Sequence, residues 1–150
     1  MGAYNVVVVG TDGSETSFRA VDRAAELARD SAAELVIACA YVPSRPEDVA
    51  RAQDILGSDA AYQVVGSAPA EDTVSRARDR AAAAGAARVD TVVAQGKPSD
   101  CLRAVASERR ADLLVVGNRG LNSLAGRIIG SVPLDVARHA DIDVLIVHTT

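Results

Sequence analysis

Tryptophan is absent, phenylalanine occurs once and aromatics make up only 3% of the residues. That leaves no stacking platform for single-stranded nucleic acid. Basic residues are outnumbered, 16 Lys+Arg against 20 Asp+Glu, for a net charge of −4 and a pI near 5.1. The electrostatic footprint of a duplex-binding protein is therefore missing. Long apolar runs are missing too. Stretches such as Val6–Val9 fall far short of the roughly 20 residues that span a bilayer. The opening MGAYNVVVVGTDGS has neither a basic n-region nor a cleavage site, so no signal peptide is expected. Cysteine is scarce: Cys39 and Cys101 stand far apart, with no C-x-x-C or Cys/His spacing. A reducing, cytoplasmic setting without structural zinc is expected. Cys39 reads as inert core. Cys101 falls in the first turn after Pro98, where a helix N-terminus lowers a thiol pKa. No histidine partner is near it in sequence, so no catalytic thiol is expected.

What is present fits one ordinary folded domain spanning residues 1–150, with 49% hydrophobic residues and a mean hydropathy of +0.11. Tyr4–Gly10 is a short β-branched run ending in a glycine turn, the pattern of a strand buried on both faces. Leu35–Tyr41, Val89–Ala94, Leu113–Gly117 and Val144–Val147 repeat it. Helical patterns lie between. Ser14–Asp30 puts Phe18, Val21, Ala25 and Ala28 on one stripe, with Ser14 as N-cap and Glu15 at the positive end. A second helix is predicted over Pro69–Ala84, with Pro69 at its first position and Gly85 as its stop. A third starts at Pro98 and covers Cys101–Arg110. A fourth follows Gly130, with Ser131 as N-cap and Val132, Val136 and Ala140 facing inward. Within Val42–Ser67, a short helix is expected over Glu47–Leu56. Alternating strands and helices predict an α/β fold: a five-stranded, mostly parallel, Rossmann-like sheet with helices on both faces. The 29 alanines concentrate in the helices and allow close packing on that sheet.

In such sheets ligands bind beyond the carboxyl ends of the strands, where connections diverge to opposite faces. Two glycine-rich turns occupy such ends. The first strand runs into Gly10-Thr11-Asp12-Gly13-Ser14, and the fourth into Gly117-Asn118-Arg119-Gly120, continuing to Gly130-Ser131 at a helix start. Glycines let backbone N–H groups approach an anion, and a helix start adds a favourable dipole. Arg119 and Arg127 supply phosphate-directed charge. Tight turns and caps alone would explain the same glycines. Other phosphate motifs fail. In Gly96-Lys97-Pro98-Ser99 the leading P-loop glycine is replaced by Thr91 and Pro follows Lys, and no G-x-G-x-x-G follows a strand.

Gly117-x-x-Gly120, nine residues, then Gly130-Ser131 resembles the G-2x-G-9x-G-S/T nucleotide motif of the universal stress proteins. The flanks VVVVGTDGS, ADLLVVGNRG, GRIIGSVPLDVARHA and DVLIVHTT extend the resemblance over nearly the whole chain. It implies the adenine-nucleotide alpha hydrolase-like fold and a bound ATP or cyclic AMP, with Mg2+ accompanying ATP. It also implies a regulatory, sensing or buffering role in stress response. Gly10, Thr11 and Asp12 would form the first turn of the site, with Asp12 accepting from ribose hydroxyls or helping to hold a metal ion. Ala40 would line the adenine pocket through its backbone, and Val116 would cover another side of the base. Gly117, Gly120, Gly130, Ser131 and Val132, with the adjoining Pro133, would surround ribose and phosphates. Arg127 matches the basic position before the third glycine. Asn118-Arg119 stands where many members carry a histidine, which leaves the number of phosphates and the choice of nucleotide open.

His139 and His148 are the only histidines, one at a helix end and one closing the last strand, and neither belongs to a triad-like arrangement. The chain therefore reads as a binding protein rather than an enzyme. A nucleotide-free interaction module or a slow ATPase is the alternative. A phosphoryl-accepting receiver domain is set aside: Asp12 stands alone, no Asp follows Leu113–Val116, and Lys97 is the only lysine. The last apolar strand has no Lys, Pro or Gly gatekeeper and is expected at an edge. An antiparallel homodimer through that strand is the predicted partner, and the resemblance points the same way.

Overall fold

The computed structural model describes residues 2–42, 67–118 and 131–149. The strands are β1 (Val6–Gly10), β2 (Glu34–Tyr41), β3 (Arg88–Gln95), β4 (Leu113–Gly117) and β5 (Asp143–Val147). The helices are α1 (Glu15–Ser31), α2 (Ser67–Ala83), α3 (Pro98–Glu108) and α4 (Ser131–His139). The strand order is β3-β2-β1-β4-β5 and every pairing is parallel. The expected mostly parallel sheet is thus wholly parallel among the described residues, with β1 central and β5 at an edge.

Strand parity decides which face each residue serves. Val7, Val9, Leu35, Ile37, Cys39, Leu113 and Val115 pack against Phe18, Val21 and Ala25 of α1 and Ala70, Val74 and Ala77 of α2. The intervening Val8, Val36, Ala38, Leu114 and Val116 meet Leu102 and Val105 of α3 and Val132 and Val136 of α4. Continuous apolar strands therefore serve two cores at once, as parallel sheets require. Buried Ala20, Ala24, Ala28 and Ala81 let α1 and α2 approach closely, and Arg80 of α2 spans the seam to Asp22 at 2.8 Å.

Local signals set the element ends. Ser14 caps α1 by accepting from the Ser17 N–H, and Ala32 closes it in the left-handed conformation at φ +53°. Pro98 opens α3 as expected. Asp112, just before β4, accepts the N–H groups of Asn5 and Val6 at 2.9–3.1 Å and so ties β4 to the start of β1. Several boundaries differ from expectation. α2 begins at Ser67, which puts Pro69 inside the first turn rather than at its first position. α3 stops at Glu108, because Arg110 turns left-handed at φ +53°. α4 opens at Ser131 itself. Val132 and Val136 are buried and Ala140 half-buried, as the stripe predicted. The helix expected over Glu47–Leu56 lies outside the described residues.

Candidate functional site

The sheet reverses its direction of growth between β1 and β4. β1 feeds α1 on one face, while β4 feeds α4 on the other. The two connections separate there and leave a crevice at the carboxyl ends, the position where open parallel sheets bind ligands. Gly10, Thr11, Ser17, Ala38, Ala40, Pro98, Leu102, Val116, Gly117 and Val132 line a hollow in it. Six of these ten were predicted from sequence. The hollow encloses about 30 Å³, the room of one water, so a ligand would rest its edge there and extend outward. A larger cavity of about 580 Å³ lies at the other end of the sheet, lined among others by Asp100, Arg103, Arg110, His139 and Asp141. It mixes acids and bases.

Gly10 is glycine for a steric reason: a Cβ would come within 2.8 Å of Leu102 Cδ1. Leu102 and Pro98, from α3, were not expected at the site from the sequence, since their nearness to β1 follows only from the tertiary fold. The turn after Gly10 is closed upon itself. Thr11 N–H donates to the Ala38 carbonyl at 3.0 Å. Asp12 N–H donates to Ser17 Oγ at 3.3 Å, Gly13 N–H to Thr11 Oγ1 at 3.2 Å and Ser14 N–H to Asp12 Oδ1 at 2.9 Å. Thr11 Oγ1 and Ser17 Oγ meet at 2.7 Å. Gly13, at φ +87°, supplies the backbone conformation that this closure needs. The amides expected to cradle an anion are thus occupied. What the turn presents is an acceptor: Asp12 Oδ1 takes Ser14, and among the described residues Oδ2 has no partner.

Across the crevice, strand alternation exposes one backbone pair. Ala38 C=O faces β1, and so therefore do the N–H and C=O of Ala40 two residues on. Pairing of β1 with β2 has already ended at Gly10↔Ala38. Ala40 thus offers one donor and one acceptor toward the crevice. Val116 and Val132 are buried and apolar beside it, and Pro133 is buried as well. Ser131 forms the start of α4, whose positive end faces the same crevice. Arg119, Gly120, Arg127 and Gly130 lie outside the described residues.

Asn118 is 8% exposed and directed elsewhere. Its Oδ1 accepts from both N and Oγ1 of Thr149, each at 2.9 Å. Thr149, Arg19 and Ser17 are further residues that sequence reading missed.

Neither thiol is activated. Burial pushes Cys39 up to about 12. Burial, then the neighbouring Asp100 carboxylate, also raises Cys101, which corrects the expectation that the α3 start would lower it. His139 and His148 are exposed. His139 Nδ1 lies 3.0 Å from its own helix's Asp135 carbonyl and His148 Nδ1 lies 3.5 Å from Asn118 Nδ2, so neither orients a nucleophile. Among the described residues no group of three or more His, Cys, Asp or Glu is placed to hold a metal ion, and no helix is long and apolar enough to cross a membrane.

Comparison with known proteins bears on this geometry directly. The model of the universal stress protein family matches residues 3–148. Universal stress protein Rv1636 of Mycobacterium tuberculosis is 53% identical over 150 residues, covering 100% of both chains. A crystal structure of a universal stress protein in complex with cAMP is 46% identical, covers 99% of this chain and 100% of the other, and superposes with a TM-score of 0.76. The crystal structure of Rv1636 is likewise 46% identical over 100% and 99% of the two chains, with a TM-score of 0.61.

Proposed function

Since the chain belongs to the universal stress protein family, we propose that it binds an adenine nucleotide, ATP or cyclic AMP, in the crevice between β1 and β4. The observation that carries this reading is the division of labour at that crevice. The β1 turn has spent its donors and presents the Asp12 carboxylate, whereas β4 leads to the positive end of α4. A ribose, which donates through hydroxyls, suits the first. A phosphate, which accepts, suits the second. Adenine presents an N–H donor beside a ring acceptor, the complement of the Ala40 C=O and N–H, while Val116 and Val132 cover its faces. The cAMP complex of the 46% identical neighbour supports the same ligand class. The spaced motif Gly117, Gly120, Gly130 and Ser131 would supply the phosphate side by the family resemblance, with Arg119 and Arg127 as its charge. Mg2+ arriving with ATP would find Asp12 as its one carboxylate ligand in the described part of the site.

Apart from the Asp12 carboxylate, no base among the described residues is positioned beside the crevice, which supports a protein that acts by binding and release, in sensing or buffering. We read residues 1–150 as a single domain working in the cytoplasm, a setting supported by two free cysteines. The same reading includes a homodimer through β5.

Calorimetry with ATP and cyclic AMP tests the site. Gly130→Asp, which places bulk and negative charge toward the phosphates, should lower both affinities by more than about tenfold; a folded variant binding as wild type would remove the assignment. Asp12→Ala should weaken binding by about 1.5–3 kcal/mol if it loses a charge-assisted hydrogen bond, and the variant should no longer favour ATP over 2′-deoxy-ATP. If Asp12 serves the turn alone, affinity holds and only the melting temperature falls. Freshly purified protein carrying no adenine nucleotide in native mass spectrometry, and binding none on titration, would favour the interaction module instead.

A further inference from the structure

The connection from β4 to α4 carries the phosphate side of the proposed site, and its first residue is Asn118. Its side chain is engaged by the residues that follow β5. A backbone N–H can only donate, so the 2.9 Å bond from Thr149 N fixes the Asn118 carboxamide with Oδ1 toward Thr149. Thr149 Oγ1 fills the second acceptor site at 2.9 Å. The carboxamide nitrogen also lies on the β5 side, 3.5 Å from His148 Nδ1. The Asn118 N–H itself donates to the Val147 carbonyl at 2.8 Å. Thr149 is 2% exposed, and its carbonyl accepts from Arg19 Nη1 of α1 at 2.7 Å. Thr149, two residues after β5, is therefore the junction of three units: the β4–α4 connection, the edge strand, and the helix that follows the Asp12 turn.

We propose that Asn118 is a positioning residue. Through Thr149 and Arg19 it fixes the origin of the β4–α4 connection relative to α1, and so sets the distance between the phosphate side and the ribose side of the site. It does not touch the phosphates. The inference rests on nucleotide binding in this crevice. It has a thermodynamic counterpart: a ligand bridging both sides tightens the junction, and loosening the junction weakens every ligand that bridges them.

Two variants of the full chain separate this from direct contact. Asn118→Asp keeps two acceptor sites for Thr149 and adds a negative charge, whereas Asn118→Leu keeps the branching at Cγ and removes the acceptors. Isothermal titration with ATP and with cyclic AMP should find Asn118→Leu weakened about tenfold or more for both nucleotides alike. Asn118→Asp should stay within about threefold of wild type for both. Hydrogen exchange at the Thr149 amide should be slow in wild type and Asn118→Asp, slower still with nucleotide bound, and fast in Asn118→Leu. Should Asn118→Leu fail to fold, Thr149→Val, which deletes one of the two bonds, should show a smaller loss, equal for the two nucleotides. A direct phosphate contact predicts otherwise: Asn118→Asp would lose ATP far more than singly charged cyclic AMP. That result, or a folded Asn118→Leu binding as wild type, overturns the proposal. Wild-type protein binding neither nucleotide would instead overturn the proposed function, and the positioning role with it.

Discussion

The sheet ends in two parallel strands that meet solvent very differently. On β3, pairing with β2 uses the Gly96 N–H, so alternation turns the backbone groups of Val89, Thr91, Val93 and Gln95 outward. The Thr91 N–H is then taken by Asp90 Oδ1 at 2.9 Å. Asp90 is in turn gripped by Arg109 at 2.6 Å, from the end of α3 on one face, while Arg78 of α2 on the other face stands 3.9 Å away. Two guanidiniums and a carboxylate wrap that edge, a familiar defence against an added strand. On β5, Val147 C=O faces β4, so the outward groups are those of Val144 and Ile146. Among the described residues no side chain reaches them. The strand reads Asp-Val-Leu-Ile-Val, with its charge only at the start, where Asp143 accepts from the Tyr4 hydroxyl. One edge carries a built obstacle to pairing and, among the described residues, the other carries none. This contrast supports β5 as the strand through which two copies meet about a two-fold axis.

The largest expected effect comes from proline on the open edge. Light scattering of wild type should give twice the single-chain mass of 15.5 kDa. Ile146→Pro removes an outward donor while leaving the β4 ladder intact, and should give a folded monomer. Leu145→Pro, one residue away, removes an inward donor and should instead unfold the edge and lower the melting temperature. If Ile146→Pro stays dimeric, or if both prolines behave alike, the assignment of β5 as the paired edge is lost. A gentler version is Val144→Lys, which places like charges near one another across the axis. It should raise the dimer dissociation constant by about tenfold or more, equal to about 1.4 kcal/mol, and added salt should partly restore the dimer.

Next in size is the guarded edge. Asp90→Ala frees the Thr91 N–H and releases Arg109. The loss of stability should be about 1 kcal/mol, since each bond is half-exposed. Its more telling consequence is association: the variant should form concentration-dependent species larger than a dimer, detectable by sedimentation velocity. Species no larger than wild type's would mean that Asp90 guards nothing.

The strands were legible because each is apolar without interruption, and only burial on both faces demands that. The last strand was expected at an edge, and β5 lies there. Helix limits were less legible, for identifiable reasons. Proline is tolerated anywhere in a first turn, so Pro69 could not fix where α2 begins. The end of α3 depends on Arg110 adopting φ +53°, which a non-glycine residue does not announce. Of the residues lining the hollow, Gly10 and Gly117 stood out from their glycine turns at strand ends, whereas Ala40, Val116 and Val132 were picked out only through the family resemblance. The closure of the β1 turn was not legible, because Ser17 comes within reach of Thr11 only once α1 has formed. The bond between Asn118 and Thr149 was not legible either, because the two stand 31 residues apart in sequence. Cys101 departs from the expectation drawn from its helix start because burial, then the Asp100 carboxylate, raises the group.

The smallest effect expected is the pH dependence of the guarded edge. The Arg109 hydrogen bond, then the Thr91 N–H, hold the Asp90 carboxyl below its ordinary value against the opposing influence of burial. A carboxyl whose folded pKa is depressed contributes stability that is fully present above its unfolded pKa, near 4, and is lost as pH falls through the folded value. Asp90→Asn keeps an acceptor for the Thr91 N–H and deletes only the charge. Urea titrations at pH 7 should therefore find wild type more stable than Asp90→Asn by about 1 kcal/mol or less, because the side chain is 46% exposed and solvent screens the pair. The gap should stay constant down to about pH 5 and close progressively below about pH 4. In an Arg109→Gln background the same pair of variants should differ by less at pH 7 and depend more weakly on pH. A gap that persists unchanged to pH 2 would show that Asp90 acts through its shape and its hydrogen bond to Thr91 alone, and the electrostatic part of the guard would have to be given up.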